Sequence, residues 1–361
     1  MKIAMVIPNL DIAGAQIVIT ELLSELDKTN NEFLIVVLHK PQNNFLTDKI
    51  KQMNIPINYV ITESKTIVSK KVEMYKKLAK VLSEWKPDII HAHLEYRYAW
   101  LYSLRNKKVI IETIHSQPYR IKSILNSFLY SLLRRRGLVY PVVVTQSNAD
   151  EFRKLFHESE KKITIIPNPI DCKKFAVPNR KYAAKTINFV FVARFEKIKN
   201  HDMLLKAFSL AEKKVPNICL KLVGDGTLIE KEKQFVRQLG IESKIIFMGQ
   251  RSDIAEILRE SDVCVISSKS ESFSLSLVEA MASGLPVIAT AVGGMKDIVN
   301  GNGYLVSNND EEAFANAMID LAIDENKRRG MGEKSVELAK QYNTSFIAKL
   351  YEALYKKCAK G

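Results

Sequence analysis

The stretch from Asp262 to Thr290 constrains this chain more tightly than any other. Asp262-Val263-Cys264-Val265-Ile266-Ser267 is apolar and β-branched without alternation, the pattern of a strand covered on both faces of a parallel sheet. A small polar segment follows, then a helix-sized run that ends at Gly284-Leu285-Pro286, then a second such strand at Pro286–Thr290. Ser272 and Ser274 are placed to cap the helix, which leaves its first N–H groups and the positive end of its dipole facing outward, a ready site for phosphate. Glu271 sits in the loop before the cap, and Glu279 lies about two turns further along. The two acids can reach different ends of one elongated polar ligand. They also read as a solvated loop acid and an ordinary helix glutamate.

The same unit recurs along the chain. After an opening strand at Lys2–Ile7, strands are predicted at Phe33–Leu38, Asp88–His91, Val109–Thr113 and Val142–Thr145, with helical stretches such as Val72–Trp85 between them. Pro167, Pro169 and Pro178 stiffen an extended connection. The rhythm then restarts, with strands at Ile187–Val192, Ile218–Val223, Lys244–Met248, Asp262–Ile266 and Pro286–Thr290. Strands alternating with helices predict parallel βαβ units in doubly wound sheets, an α/β fold class. With 361 residues and 47% hydrophobic content, the chain can bury the cores of two ordinary domains. The boundary is expected near Lys173–Lys185, dividing 1–175 from 176–343, with an amphipathic helix from about Thr344 in the closing segment 344–361.

Charge is unevenly placed. The net charge of +14 comes mostly from residues 1–180, which hold 28 Lys and Arg against 17 Asp and Glu; the remainder holds 26 against 23. A basic half seeks an anionic partner, whether nucleic acid, acidic lipid or phosphorylated substrate. The four cysteines, Cys172, Cys219, Cys264 and Cys358, are scattered without compact spacing and are read as reduced thiols in a cytosolic protein, with no zinc site. Met1–Pro8 is too short for the apolar core of a signal peptide, and no apolar run is long enough to span a bilayer.

Several loops at predicted strand ends carry candidate ligand groups, because doubly wound sheets bind ligands beyond their carboxyl edges. Gly14 follows the first strand, as an anion-binding turn or a plain one. His91 and His93 follow the third; no third metal ligand lies nearby in sequence, so His91 reads as structural or surface. Arg194 and Lys199 follow Ile187–Val192 near a helix start, and a fork-shaped guanidinium with a point-charge ammonium suits a diphosphate. Leu222-Val223-Gly224-Asp225-Gly226 lacks the third glycine of a dinucleotide fingerprint and reads as a turn. From Tyr119 to Arg136, apolar residues at 121, 124, 125, 128, 129, 132 and 133 form a helical stripe ending in Arg134, Arg135 and Arg136, either a core-facing helix or a cationic helix on a membrane surface.

The frame Glu271-Ser272-Phe273-Ser274-Leu275-Ser276-Leu277-Val278-Glu279-Ala280-Met281-Ala282, closed by Gly284-Leu285-Pro286-Val287-Ile288-Ala289, resembles the Glu-x7-Glu signature of retaining glycosyltransferases of family 4. Arg194 and Lys199-Asn200 are similar to the family's R-x-x-x-x-K-N, Thr113-Ile114-His115 to its T-x-H, and Ile166-Pro167-Asn168-Pro169-Ile170-Asp171 to its I-P-N-G-I-D with Pro169 for glycine. Ala13-Gly14-Ala15-Gln16 keeps only the second glycine of the family's Gly-Gly-Ala-Glu. The resemblance spans nearly the whole chain. It implies a GT-B fold: two Rossmann-like doubly wound domains facing a cleft, the first for acceptor and the second for nucleotide sugar, with the last helix packing back on the first.

The resemblance also implies roles. Glu271 contacts the donor sugar and Glu279 the ribose hydroxyls, while Ser272, Phe273, Ser274 and Leu275 frame the same site. Arg194 and Lys199 take the diphosphate, Gly249 and Arg251 the base, and Gly14 and His115 face the donor, His115 as a hydrogen-bond donor to the sugar. The catalytic set is thus His115, Arg194, Lys199 and Glu271. Asp-x-Asp is absent, so metal-independent transfer is expected, with no cofactor beyond the nucleotide sugar, and the resemblance implies retention of anomeric configuration. The implied enzyme is a hexosyltransferase using a UDP-sugar and a lipid-linked or other saccharide acceptor in capsule, exopolysaccharide or O-antigen assembly, peripheral at the cytoplasmic face of an anionic membrane. The alternatives are another GT-B enzyme, such as a nucleotide-sugar epimerase or phosphorylase, and a nucleic-acid binder; the chain lacks the aromatic-basic interleaving of the last, and no nucleic acid partner is expected.

Overall fold

A computed structural model describes residues 1–11, 13–40, 44–94, 97–116, 124–156, 163–183 and 185–359, with backbone alone for 124–127. Every predicted strand forms, three of them (Lys2–Ile7, Ile187–Val192 and Ile218–Val223) with the predicted ends and the others shifted by one to three residues. The first sheet contains β1 (Lys2–Ile7), β2 (Glu32–Val37), β3 (Ile57–Tyr59), β4 (Ile89–His93), β5 (Val109–Ile114), β6 (Val139–Val143) and β7 (Thr164–Ile165), in the order β3-β2-β1-β4-β5-β6-β7. The second contains β8 (Ile187–Val192), β9 (Ile218–Val223), β10 (Ile245–Gly249), β11 (Val263–Ile266), β12 (Val287–Thr290) and β13 (Gly303–Val306), ordered β10-β9-β8-β11-β12-β13. Pairing is parallel throughout. In each sheet the order reverses beside the first strand, and that switch point is where loops diverge to leave a ligand crevice.

Alternation along β1 shows why both faces need cover. Ile3, Met5 and Ile7 enter a core with the helix Gly14–Glu25 and the terminal helix Thr344–Ala359, whereas Ala4 and Val6 enter the opposite core under the helices Ile67–Trp85, Arg97–Asn106, Ile124–Arg135 and Gln146–Phe156. Thr344–Ala359 belongs to the first compact unit with Met1–Pro169, and Ile170–Asn343 form the second. The chain therefore changes unit ahead of the Lys173–Lys185 segment and of the 175/176 division. Ile170 is already tied into the second unit, bridging to Asn343 and donating its N–H to Tyr342 O at 2.8 Å. Arg180 locks the segment that follows, its guanidinium donating to the carbonyls of Ser283, Ser261 and Leu258 at 2.6, 2.7 and 2.8 Å. Among the described residues, no helix is long and apolar enough to cross a membrane.

One buried acid stands out in the first core. Glu112 on β5 is fully buried, with Trp100 Nε1 donating to its Oε2 at 3.1 Å and Oε1 left without a partner. Burial pushes its carboxyl from 4.5 up to about 8 against the weaker pull of the Trp100 bond, so it is neutral in the folded protein at neutral pH. Because the folded value is raised, the stability this group contributes is fully present below about 4.5 and is lost as pH climbs through about 8, at a slope of roughly 1 kcal/mol per pH unit. Glu112→Gln is therefore expected to melt like the wild type near pH 5 and several degrees higher at pH 8. Parallel melting-temperature curves across that range would refute the assignment.

Candidate active site

The switch point of the second sheet lies between β8 and β11, and the loops leaving these strands are sewn together. Lys269 N donates to Ile198 O at 2.8 Å, and Ser267 Oγ donates to Lys199 O at 2.9 Å. These ties bring Lys199 Nζ to 2.5 Å from Glu271 Oε1, which also accepts from Ser268 Oγ at 2.9 Å. The loop after β12 joins them, with Gly294 N donating to Glu271 O at 3.0 Å and Thr290 Oγ1 to Ser268 O at 2.5 Å. Glu271 Oε2 makes no hydrogen bond among the described residues. The cation and the acid, 23% and 11% exposed, thus share one centre.

Asn200 makes the turn from Lys199 into the helix His201–Glu212, adopting a left-handed conformation (φ 57, ψ 47) that asparagine tolerates better than most residues. His201 then stacks on Phe195 at 4.2 Å; burial and the Lys199 charge lower its pKa to about 4, so it packs as a neutral ring. The Gly224-Asp225-Gly226 turn braces the Arg194 loop from below. Phe195 N donates to Asp225 O at 2.9 Å, and a Cβ on Gly224 (φ +139) would sit 2.1 Å from Ala193 O. Only glycine permits that approach.

The helix Leu275–Ala282 begins where the motif places it. Ser274 is its cap, accepting from Leu277 N at 3.3 Å, while buried Phe273 packs edge-on against Tyr342 at 5.5 Å and Ser272 is also buried. Glu279 is partly buried near β11, where its charge adds to burial in pushing the Cys264 thiol up to about 12. Gly249 closes β10 with φ +65, its carbonyl accepting from Gly224 N at 2.8 Å. Two expected ligand groups are held elsewhere. Arg194 pairs with Glu196 at 2.9 Å and is 71% exposed, and Arg251 forks onto Asp253, its Nε at 2.7 Å from Oδ1, instead of lying open for stacking. Such exposed pairs are worth about 0–1 kcal/mol, so either guanidinium exchanges partners at little cost.

In the first unit, Gly14 opens the helix Gly14–Glu25, whose N-cap residue Ala13 supplies no side-chain cap. Gln16, where the family has an acid, is buried and donates through Nε2 to Asn9 Oδ1 at 2.6 Å. His115 is tied to His93, its Nε2 lying 2.9 Å from His93 Nδ1. His91 is spoken for on both nitrogens, by Tyr355 OH and Thr113 Oγ1 at 2.8 Å each. Burial lowers His91 to about 3, His115 to about 4 and His93 well below its usual value, so all three are neutral imidazoles. Sequence spacing gave no sign that His115 meets His93, since β4 and β5 bring them together only in the fold. No metal-holding cluster occurs among the described residues. Of the basic stripe, Tyr119–Ser123 and the side chains of Ile124 and Leu125 lie outside the described residues. Arg135 and Arg136 are exposed, and Arg134 lies over the Tyr130 ring at 5.9 Å.

Comparison with known proteins places this geometry. The Glycosyltransferase Family 4 model matches residues 12–174 and the Glycosyl transferases group 1 model residues 176–337. The N-acetyl-alpha-D-glucosaminyl L-malate synthase of Bacillus anthracis is 27% identical over 95% of this chain and 94% of its own length. The UDP-Gal:alpha-D-GlcNAc-diphosphoundecaprenol alpha-1,3-galactosyltransferase of Escherichia coli is 25% identical over 82% and 81%. Anabaena Alr3699/HepE in complex with UDP and glucose superimposes with a TM-score of 0.82 at 19% identity, covering 99% of both chains. With one family model on each Rossmann-like domain, the chain belongs to the family 4 glycosyltransferases and has the GT-B fold.

Proposed function

We propose that the protein transfers a hexose from a UDP-sugar to a lipid-linked saccharide in the assembly of a capsule, exopolysaccharide or O-antigen type glycan, working at the cytoplasmic face of an anionic membrane. The Lys199–Glu271 contact at the switch point supports this reading most, because an ammonium of the kind that suits a diphosphate lies against an acid whose second oxygen could take a sugar hydroxyl. UDP is favoured as the carrier because the Anabaena neighbour holds UDP and the Escherichia coli relative is named for UDP-Gal. The same relative is named for a diphosphoundecaprenol acceptor, which supports a lipid-linked one here.

In this reading Lys199, Arg194 and the free N–H groups of the helix Leu275–Ala282 stabilise the negative charge that grows on the leaving diphosphate. Glu271 holds the sugar, Glu279 the ribose, and Gly249 and Arg251 the base. Gly14 and neutral His115 approach the donor, with His115 donating to a sugar hydroxyl. The acceptor oxygen bonds to the anomeric carbon on the face from which the diphosphate departs. The carbon–oxygen bond to phosphate breaks with its electron pair on the diphosphate, and the acceptor proton passes to a phosphate oxygen. The anomeric configuration is retained, and the chain's own cations neutralise the charge without a metal.

A thermal-shift panel is expected to show stabilisation by UDP and a UDP-sugar that exceeds stabilisation by GDP. Lys199→Ala and Glu271→Gln should each lower kcat by about 100-fold or more. EDTA should leave the rate unchanged, and NMR of the product should show the donor's own anomeric configuration. An inverted product or a metal requirement would remove the proposed chemistry. Gly224→Ala is expected to abolish the UDP shift, since its Cβ displaces the Arg194 loop. Gly240→Ala (φ +68, open space around the Cβ) should cost only about 1 kcal/mol of stability and leave UDP binding intact. Equal UDP shifts in the two variants would deny the brace its role.

A further inference from the structure

Three neighbouring helices, Ile67–Trp85, Arg97–Asn106 and Ile124–Arg135, lie side by side over one face of the first sheet. Each buries one stripe beneath it: Met74, Leu78 and Leu82; Ala99, Trp100 and Tyr102; Tyr130 and Leu133. The outward stripes share a pattern. Each presents an apolar residue followed one or two turns later by a base: Val72 and Lys76, Leu101 and Arg105, Phe128 and Arg135. The apolar members are 49%, 46% and 70% exposed. None of the three bases forms an ion pair among the described residues.

As crossover helices between parallel strands, all three run in one direction, with their N-termini at the carboxyl edge of the sheet. The apolar members therefore form a row at that edge, and the bases form a second row behind it. Ile67 and Val68, 74% and 73% exposed, extend the apolar row at the start of the first helix, and Leu94 extends it in the loop after β4. Single exposed apolar side chains are ordinary, but a row of them backed by unpaired cations is not. A nucleic acid fits the cations and leaves the apolar row in water. An anionic bilayer fits both.

We propose that this three-helix face docks on an anionic phospholipid surface, with Val72, Leu101 and Phe128 entering the headgroup–acyl boundary and Lys76, Arg105 and Arg135 among the phosphates. The inference rests on the proposed function for its lipid-linked acceptor and deepens it by naming the surface. It moves the contact away from Arg134, which lies over Tyr130. It also sets the carboxyl edge of the sheet, where an acceptor is read, against the bilayer.

The test is co-sedimentation of the full chain with phosphatidylcholine vesicles, with and without one-third phosphatidylglycerol. Binding is expected only to the anionic vesicles. The combined V72S, L101S and F128S variant should bind about tenfold more weakly at an unchanged melting temperature. F128W should shift its emission to the blue with anionic vesicles and not with neutral ones, a sign of insertion. Wild-type protein that stays in the supernatant, a serine variant that sediments like wild type, or salt-sensitive binding to duplex nucleic acid in place of vesicles overturns the proposal. A UDP thermal shift on the same samples separates the two failures. A shift without vesicle binding rejects this surface alone, and its absence from wild type rejects the donor reading.

Discussion

The short contact between Lys199 and Glu271 depends on a reversal of strand order. Were β8 and β11 not neighbours, the two residues would end loops on separate parts of the sheet edge. Their adjacency is reinforced by backbone and hydroxyl bonds from Lys269, Ser267 and Thr290, so the pair is held by its scaffold more than by its own attraction. At 23% and 11% exposure, either charge alone would be poorly solvated, and each keeps the other in place until a ligand brings its own charge and hydroxyls. Such a centre is organised by its scaffold in advance, the condition under which fixed charges act most effectively.

The first unit handles buried polarity differently. At the carboxyl ends of β4 and β5 it gathers His91, His93, His115 and Thr113 with Tyr351 and Tyr355 of the terminal helix, and no ion pair among them. Burial keeps the imidazoles neutral, so the network is built from donors and acceptors whose charge does not change near neutrality. Proton transfer is a poor use for such rings, and orienting a hydroxyl is a good one. Two of these bonds, His91 to Tyr355 and Thr113 to Tyr351, fasten the returning helix Thr344–Ala359 to the sheet.

What the sequence disclosed followed from how strongly each feature is written locally. Ile187–Val192 and Ile218–Val223 were legible to the residue because each is a six-residue, mostly apolar run set off by polar and glycine-bearing loops. Ile57–Tyr59, Thr164–Ile165 and Gly303–Val306 were not, because they are short edge strands whose pattern is diluted by solvent-facing positions. Ser274 as cap and Lys199 near Glu271 follow from motif and topology. The turns of Arg194 to Glu196 and of Arg251 to Asp253 depend on acids two residues away, and a strand-end reading that looks outward for a ligand passes over them. Gly224 and Gly226 read as a turn, but their purpose appears only when Ala193 and Phe195 are found against them.

The charge asymmetry also gains a physical meaning. In the second unit several cations are matched, Arg194 with Glu196, Lys199 with Glu271, Arg251 with Asp253, Lys206 with Glu311 and Lys231 with Asp202, while Lys197, Lys269 and Lys296 have no ion pair among the described residues. In the first unit Lys76, Arg105, Arg135 and Arg136 have no such partners among the described residues, so no neighbouring acid cancels their field in solvent, which salt screens further. Unpaired cations favour any broad anionic surface without discriminating among small ligands. The excess of bases in residues 1–180 is thus better matched to attraction toward an extended anionic partner than to the tight recognition of one small ligand.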